Sequence, residues 1–260
     1  SMNYWPSKID SCSAYGVTAY EVRKGPIGHR QLGSRISPAD CNEESGRTVE
    51  ISGNGQILAI YSRTYSGSSV DGRWIPVTTG TLRTYEFNGV DWVLLGEAIR
   101  LPTESDPGIW GQRPPLALSD DGRTLVIASA WWNEFRGIAF TYKFDGGSWS
   151  LANTLYGSEA GKFYLSPYGT TTDIGEFFGS DLALSSDGKT LVVGAPSYAG
   201  VAYKAGAAYL FKYVDGQWVK DPSSFLGEGG LYEFFGERFG SRVAISGDGA
   251  TVAVAGPSYG

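Results

Sequence analysis

Apolar and polar positions alternate in short runs along most of this chain, and the runs break at glycine-containing turns. Four segments carry one pattern: T-V-E-I-S-G-N-G-Q-I-L-A-I (48–60), L-A-L-S-D-D-G-R-T-L-V-I (116–127), L-A-L-S-S-D-G-K-T-L-V-V (182–193) and V-A-I-S-G-D-G-A-T-V-A-V (243–254). Alternation before the turn (Leu182, Leu184) resumes after it (Leu191, Val193), which predicts two antiparallel strands joined as a hairpin. Asn or Asp followed by Gly closes such a turn by supplying a left-handed backbone position. Ser52, Ser119, Ser185 and Ser246 are placed to bond back to turn amides.

A second pattern follows three of these hairpins: T-G-T-L-R-T-Y-E-F-N-G-V-D-W-V-L-L-G (79–96), R-G-I-A-F-T-Y-K-F-D-G-G-S-W-S-L (136–151) and A-G-A-A-Y-L-F-K-Y-V-D-G-Q-W-V-K (205–220). Each predicts an alternating strand, a turn and a last strand opening on Trp92, Trp149 or Trp218. The turn glycines Gly55, Gly122, Gly188 and Gly249 recur about 61 to 67 residues apart, the spacing of a repeating sheet unit. A fourth copy of the second pattern opens the chain, Y-G-V-T-A-Y-E-V-R-K-G-P-I-G-H-R-Q-L-G (15–33), with His29 where the others carry Trp. The expected fold is therefore all-β, a propeller-like array of about four four-stranded antiparallel units. As a single repeat domain it divides at about 47–100, 115–156, 178–222 and 239–260, with the last unit completed by N-terminal strands from 15–36.

Composition agrees with strands and turns. The 260 residues include 37 Gly, 12 Pro and 14% aromatics, and the chain is long enough to bury a core without metals or a disulfide framework. A net charge of −6 argues against nucleic acid or acidic membranes as partners, since both recruit clustered Lys and Arg. No apolar run approaches the roughly 18 residues of a spanning helix, and the first ten residues lack the regions of a signal peptide. Cys12 and Cys41 either pair as a disulfide or remain two thiols, so the compartment stays open.

The segments F-G-S-D-L-A-L-S-S-D-G-K-T-L-V-V-G-A-P (178–196) and F-G-S-R-V-A-I-S-G-D-G-A-T-V-A-V-A-G-P (239–257), with the G-x-x-Y and G-x-x-W strands after them, resemble the FG-GAP-like, integrin-α-type propeller repeat. The likeness is strong from 178 onward and weak between 36 and 114. It implies a ring of blades used for adhesion or binding at the cell surface or outside the cell. That family usually has seven blades, so about four units imply a compact variant, a fragment, or a subunit completed by a neighbour. Family members that bind calcium use loops of the type D-x-[DN]-x-[DN]-G. Here the loops read S-G-N-G, S-D-D-G, S-S-D-G and S-G-D-G, with too few oxygens for calcium's six to eight ligands, and no metal or other cofactor is assigned.

Tyr65, Trp132, Tyr198 and Tyr259 recur just after the second strand of each unit. They either form an aromatic ring on one face, able to stack on a sugar or a partner protein, or wedge between units. Trp74, Tyr164, Tyr168 and Tyr232 fall in long polar-aromatic connections (62–79, 156–177, 220–238), read as loops that carry recognition or merely space the units. Catalysis finds little support. One histidine, in a packing position, does not build a triad or a histidine metal centre, and the carboxylate pairs Asp120-Asp121 and Glu43-Glu44 read as solvated turns or connections. The expected function is a non-enzymatic module that binds a protein or carbohydrate. The alternative is a structural subunit assembling with copies of itself through its terminal strands, and an enzyme working through two carboxylates ranks third.

Overall fold

The structure is a computed structural model that describes residues 16–22, 28–70, 73–102, 113–157, 162–165, 171–199, 205–228 and 238–257. The N-terminal pair is β1 (Val17–Val22) with β2 (His29–Ile36). The first full sheet holds β3 (Glu43–Ile51), β4 (Ile57–Val70), β5 (Arg73–Phe87) and β6 (Trp92–Leu94), with β7 (Ile99–Arg100) also on β5. The second holds β8 (Leu116–Leu118), β9 (Thr124–Ser129), β10 (Ile138–Phe144) and β11 (Trp149–Tyr156), with one short turn, α1 (Trp132–Phe135), between β9 and β10. A small hairpin follows, β12 (Lys162–Leu165) with β13 (Thr171–Ile174). The third full sheet holds β14 (Leu182–Leu184), β15 (Thr190–Ala195), β16 (Ala207–Val214) and β17 (Gln217–Lys220), with β18 (Phe225–Leu226) also on β16. The last pair is β19 (Arg242–Ile245) with β20 (Val252–Ala255).

All pairings between these strands are antiparallel, and each full sheet runs in chain order from first strand to fourth. Successive sheets stack face to face, so the middle strands are buried on both sides. In β9, Leu125 and Ile127 join the core shared with the first sheet, while Val126 and Ala128 join the core shared with the third. Burial on both faces is why Thr124–Ser129 lacks the alternation of a half-exposed strand.

The hairpin turns between first and second strands are built alike. In the third sheet the Ser185 hydroxyl donates to Asp187 Oδ1 at 2.6 Å and accepts from Thr190 N at 2.9 Å, while Asp187 Oδ1 also accepts from Lys189 N at 3.0 Å. The same network recurs around Ser52 and Asn54, Ser119 and Asp121, and Ser246 and Asp248. The bond from Ser185 is the chief cause that holds the Asp187 carboxyl below the ordinary carboxylate value; burial opposes it, and the bond from Lys189 N adds to the lowering. These carboxylates close turns. Backbone bonds then tie turn to turn across the array, Asn54 N to Asp120 O at 3.3 Å, Asp120 N to Ser186 O at 2.9 Å and Ser186 N to Gly247 O at 2.9 Å.

At the opposite end of the sheets the Phe-Gly motifs make a second seam. Phe178 forms a parallel bridge with Gly137 of the preceding sheet, and Phe239 repeats it on Gly206. Phe178 is fully buried and packs its ring near Tyr209 and Phe211. The motif that carries the family resemblance is thus a joint between units.

The N-terminal pair departs from expectation. Instead of completing the last unit, β1 and β2 form their own two-stranded sheet, and β19 and β20 form another. Val17 and Ala19 pack on Leu58 and Ile60 of the first full sheet, and the Trp92 indole N–H donates to Leu32 O at 3.0 Å. The reason is repeat equivalence. Gln31-Leu32-Gly33 matches Leu94-Leu95-Gly96, and each Leu-Gly faces the tryptophan that opens the fourth strand of the next unit. Trp92 lies beside Gly33 and Trp149 beside Gly96. The pair occupies the place of a unit preceding the first full sheet, and the last pair occupies the place following the third. Among the described residues the first and last sheets are thus two-stranded.

Two further expectations change. The stretch 62–79, read as a connection, continues β4 and β5 as a long hairpin that pairs Tyr65 with Thr78 and Ser69 with Trp74, because Thr, Val, Ile and Tyr favour extended backbone there. Glu43 and Glu44 are not a solvated pair. Glu43 is 2% exposed and ion-pairs with Arg83, while Glu44 meets Arg63 at 2.7 Å and Arg47 at 2.6 Å. Burial acts to raise the Glu44 carboxyl, but the hydrogen bonds from Arg47 and Arg63 outweigh it and hold that carboxyl low.

Candidate functional site

Of the four recurrent aromatic positions, Trp132 and Tyr198 have described side chains. Tyr65 lies in β4, opposite Thr78. Trp132 is half-buried, tilted against Tyr156 at 5.2 Å between ring centres, and packs on the core between the first and second sheets. Tyr198 packs edge-on to Tyr209 at 6.1 Å, against the core between the second and third sheets. Tyr259 lies outside the described residues. Both of the described side chains are wedges. Of the connection residues, Trp74 lies in β5 and Tyr164 in β12, so neither is in a loop, because both backbones are paired with a neighbouring strand. Tyr168 and Tyr232 lie outside the described residues. Cys41 is disulfide-bonded, and Cys12 lies outside the described residues. His29 is exposed and meets the edge of the Tyr20 ring at 5.4 Å.

The residue that reasoning from sequence missed is Trp131. It is 46% exposed, although its neighbour Trp132 turns inward. The split arises in the turn that follows, where Asn133, Glu134 and Phe135 have φ of 46°, 57° and 67°. Left-handed backbone costs a residue with a side chain roughly 1–2 kcal/mol, so three in a row persist only where surroundings determine them. Here the third unit does so. Gly175 N donates to Glu134 O at 2.9 Å and Phe177 N to Phe135 O at 2.8 Å. Phe135 stacks on Phe177 at 4.8 Å and 16°, and Trp131 tilts against Phe135 at 5.4 Å. An aromatic path thus crosses the junction of the two units.

A buried polar group supports that path from beneath. Glu176, 1% exposed, accepts from the Tyr209 hydroxyl at 2.7 Å, and its carbonyl accepts from Ser197 N at 3.1 Å. Lys220 Nζ lies 3.7 Å from the centre of the Tyr209 ring, and burial lowers this ammonium against the opposing pull of Glu176. These contacts hold the segment that presents Phe177.

Above it lies a partly open cavity of about 250 Å³. It is lined by Arg113, Pro115, Ser129 and Trp131 from the second unit and by Phe177 and Ser180 from the third. Ser180 Oγ donates to Phe177 O at 2.7 Å. A concavity lined by apolar and aromatic side chains with a few polar groups among them is a binding arrangement.

The chain is an all-β, propeller-like array of antiparallel sheets with a cavity between units. Among solved structures it is similar to hydrazine synthase from Kuenenia stuttgartiensis, at 14% identity over 79% of this chain and 54% of that one with a TM-score of 0.38. It is also similar to the GH74 xyloglucanase from Xanthomonas campestris, at 15% identity over 82% and 34% of the two chains with a TM-score of 0.35. The chain thus spans about half the length of the first and a third of the second. No family model and no curated protein matches it.

Proposed function

We propose that this chain is a non-catalytic recognition module in which the propeller-like scaffold presents the cavity between its second and third units to a protein or carbohydrate partner. The observation that carries this reading is Trp131, a large ring left nearly half-exposed beside a cavity on a backbone turn locked by the adjacent unit. Exposed aromatic side chains held rigidly beside a concavity give contact area at little entropic loss, which is the property of binding hot spots. Trp131→Ala is expected to weaken binding to hits from glycan and protein arrays by about tenfold or more, with a lowered unfolding midpoint from its lost contact with Phe135 but a folded chain at the assay temperature. Unaltered binding by that variant would remove the reading.

A second reading is assembly between copies, favoured by one comparison of burial. The second strand of the third unit, T-L-V-V-G-A, is buried almost throughout, whereas the matching V-A-V-A of β20 alternates between half-buried and exposed. Among the described residues β20 pairs only with β19 and β1 only with β2, and each is the type of strand that the other would need in a complete unit. On this reading β20 of one copy takes β1 of another. Light scattering across a concentration series is then expected to show dimers or larger species, and a constant monomer mass would exclude it.

A further inference from the structure

We propose that the cavity between the second and third units holds one carboxylated pyranose ring of an acidic glycan, with Arg113 reading the carboxylate. The proposal rests on the recognition reading above and assigns its ligand class. Size comes first: about 250 Å³ lies below the roughly 300–1,000 Å³ typical of drug-sized ligands, so the space suits a single ring with its substituents. Shape comes second. Trp131 and Phe177 line the cavity with flat apolar rings, matching the C–H face of a pyranose, while the Ser180 hydroxyl suits one of its alcohol groups. The Ser180 hydroxyl spends its proton on Phe177 O, which leaves its oxygen free to accept a bond from a sugar hydroxyl.

Charge decides the class of sugar. Three arginines of the first sheet are paired within the fold, Arg47 and Arg63 with Glu44 and Arg83 with Glu43. Arg113 is exposed, lines the cavity and makes no ion pair or hydrogen bond with the described residues. Its planar fork of donors matches a carboxylate in bidentate geometry. Because the whole chain carries a net charge of −6, general attraction does not bring an anion here, and selectivity falls to this one guanidinium. An acidic peptide side chain would meet the charge but would leave the aromatic walls uncovered.

The test uses the intact chain and three probes, methyl glucuronide, methyl glucoside and a capped Glu-Glu dipeptide, titrated while indole N–H resonances are followed by NMR, with Trp131→Phe assigning the relevant signal. The glucuronide is expected to bind about tenfold or more tightly than the glucoside, and Arg113→Gln is expected to bring the two sugars level, as loss of a charge-assisted bond implies. Arg113 is exposed, so the variant should keep the parent's unfolding midpoint, which separates lost contact from lost fold. Equal binding of the two sugars by the parent, or a preference that survives Arg113→Gln, would overturn the carboxylate assignment. Binding of the dipeptide without either sugar would overturn the sugar. In each case the recognition reading stands if Trp131→Ala still weakens partner binding, and it falls separately if Trp131→Ala has no effect.

Discussion

Replacing Gly137 with alanine is expected to lower stability by about 3–5 kcal/mol and the unfolding midpoint by about 10 °C. Two effects add. Gly137 has a φ of 86°, outside the range that residues with a side chain adopt readily, and an alanine methyl there would overlap the Phe178 backbone, lying 2.8 Å from its nitrogen. The seam between the second and third units would have to open to admit it. Gly146 is the control, because its φ of 95° is similar but nothing lies within 4 Å of the added methyl. Gly146→Ala should therefore lose only the conformational part, about 1–2 kcal/mol. Thermal and denaturant unfolding of both variants measures the difference. If they prove equal, crowding at the Phe-Gly joint is not what makes glycine necessary.

Arg83→Met is expected to destabilise the chain by about 3 kcal/mol. Glu43 is 2% exposed and would be left as a buried charge whose other described contact is a 3.3 Å bond from Ala39 N. The estimate takes the lower end of the range for broken buried pairs, because the Arg83 side chain is itself 18% exposed. Removing the second charge as well, in Glu43→Leu with Arg83→Met, should recover most of the loss, because no charge then remains to be desolvated. Denaturant midpoints of the two single variants and the double variant form the cycle. A double variant as unstable as the sum of the singles would show that each side chain acts through packing of its own.

The repeat was legible in the chain because its causes are local. A serine, an Asn or Asp and a glycine close each first turn with bonds spanning only a few residues, and neither the Ser185 nor the Ser246 network needs a distant partner within its own turn. Alternation on either side then follows from the pleat. The long hairpin of β4 and β5 was less legible, since its polar threonines and serines resemble a connection. The Asp-Gly pair at 71–72 between the two runs was the available signal.

The N-terminal pair and the cavity are of another kind. The residues of β1 and β2 specify strands of the third and fourth type, as read from their pattern, but they do not specify which sheet those strands join. That choice is made by packing, where Leu32 and Gly33 meet Trp92. Likewise the doublet Trp131-Trp132 marks an aromatic site without saying which ring faces outward. The answer depends on left-handed backbone at Asn133–Phe135, which is imposed by Gly175 and Phe177 some forty residues further along. Hairpins, turns and the unit period follow from interactions between near neighbours, so the order of residues was enough to specify them. The position of the two-stranded sheets, the burial of Glu43 and the exposure of Trp131 depend on contacts between units, and these exist only once the sheets have stacked.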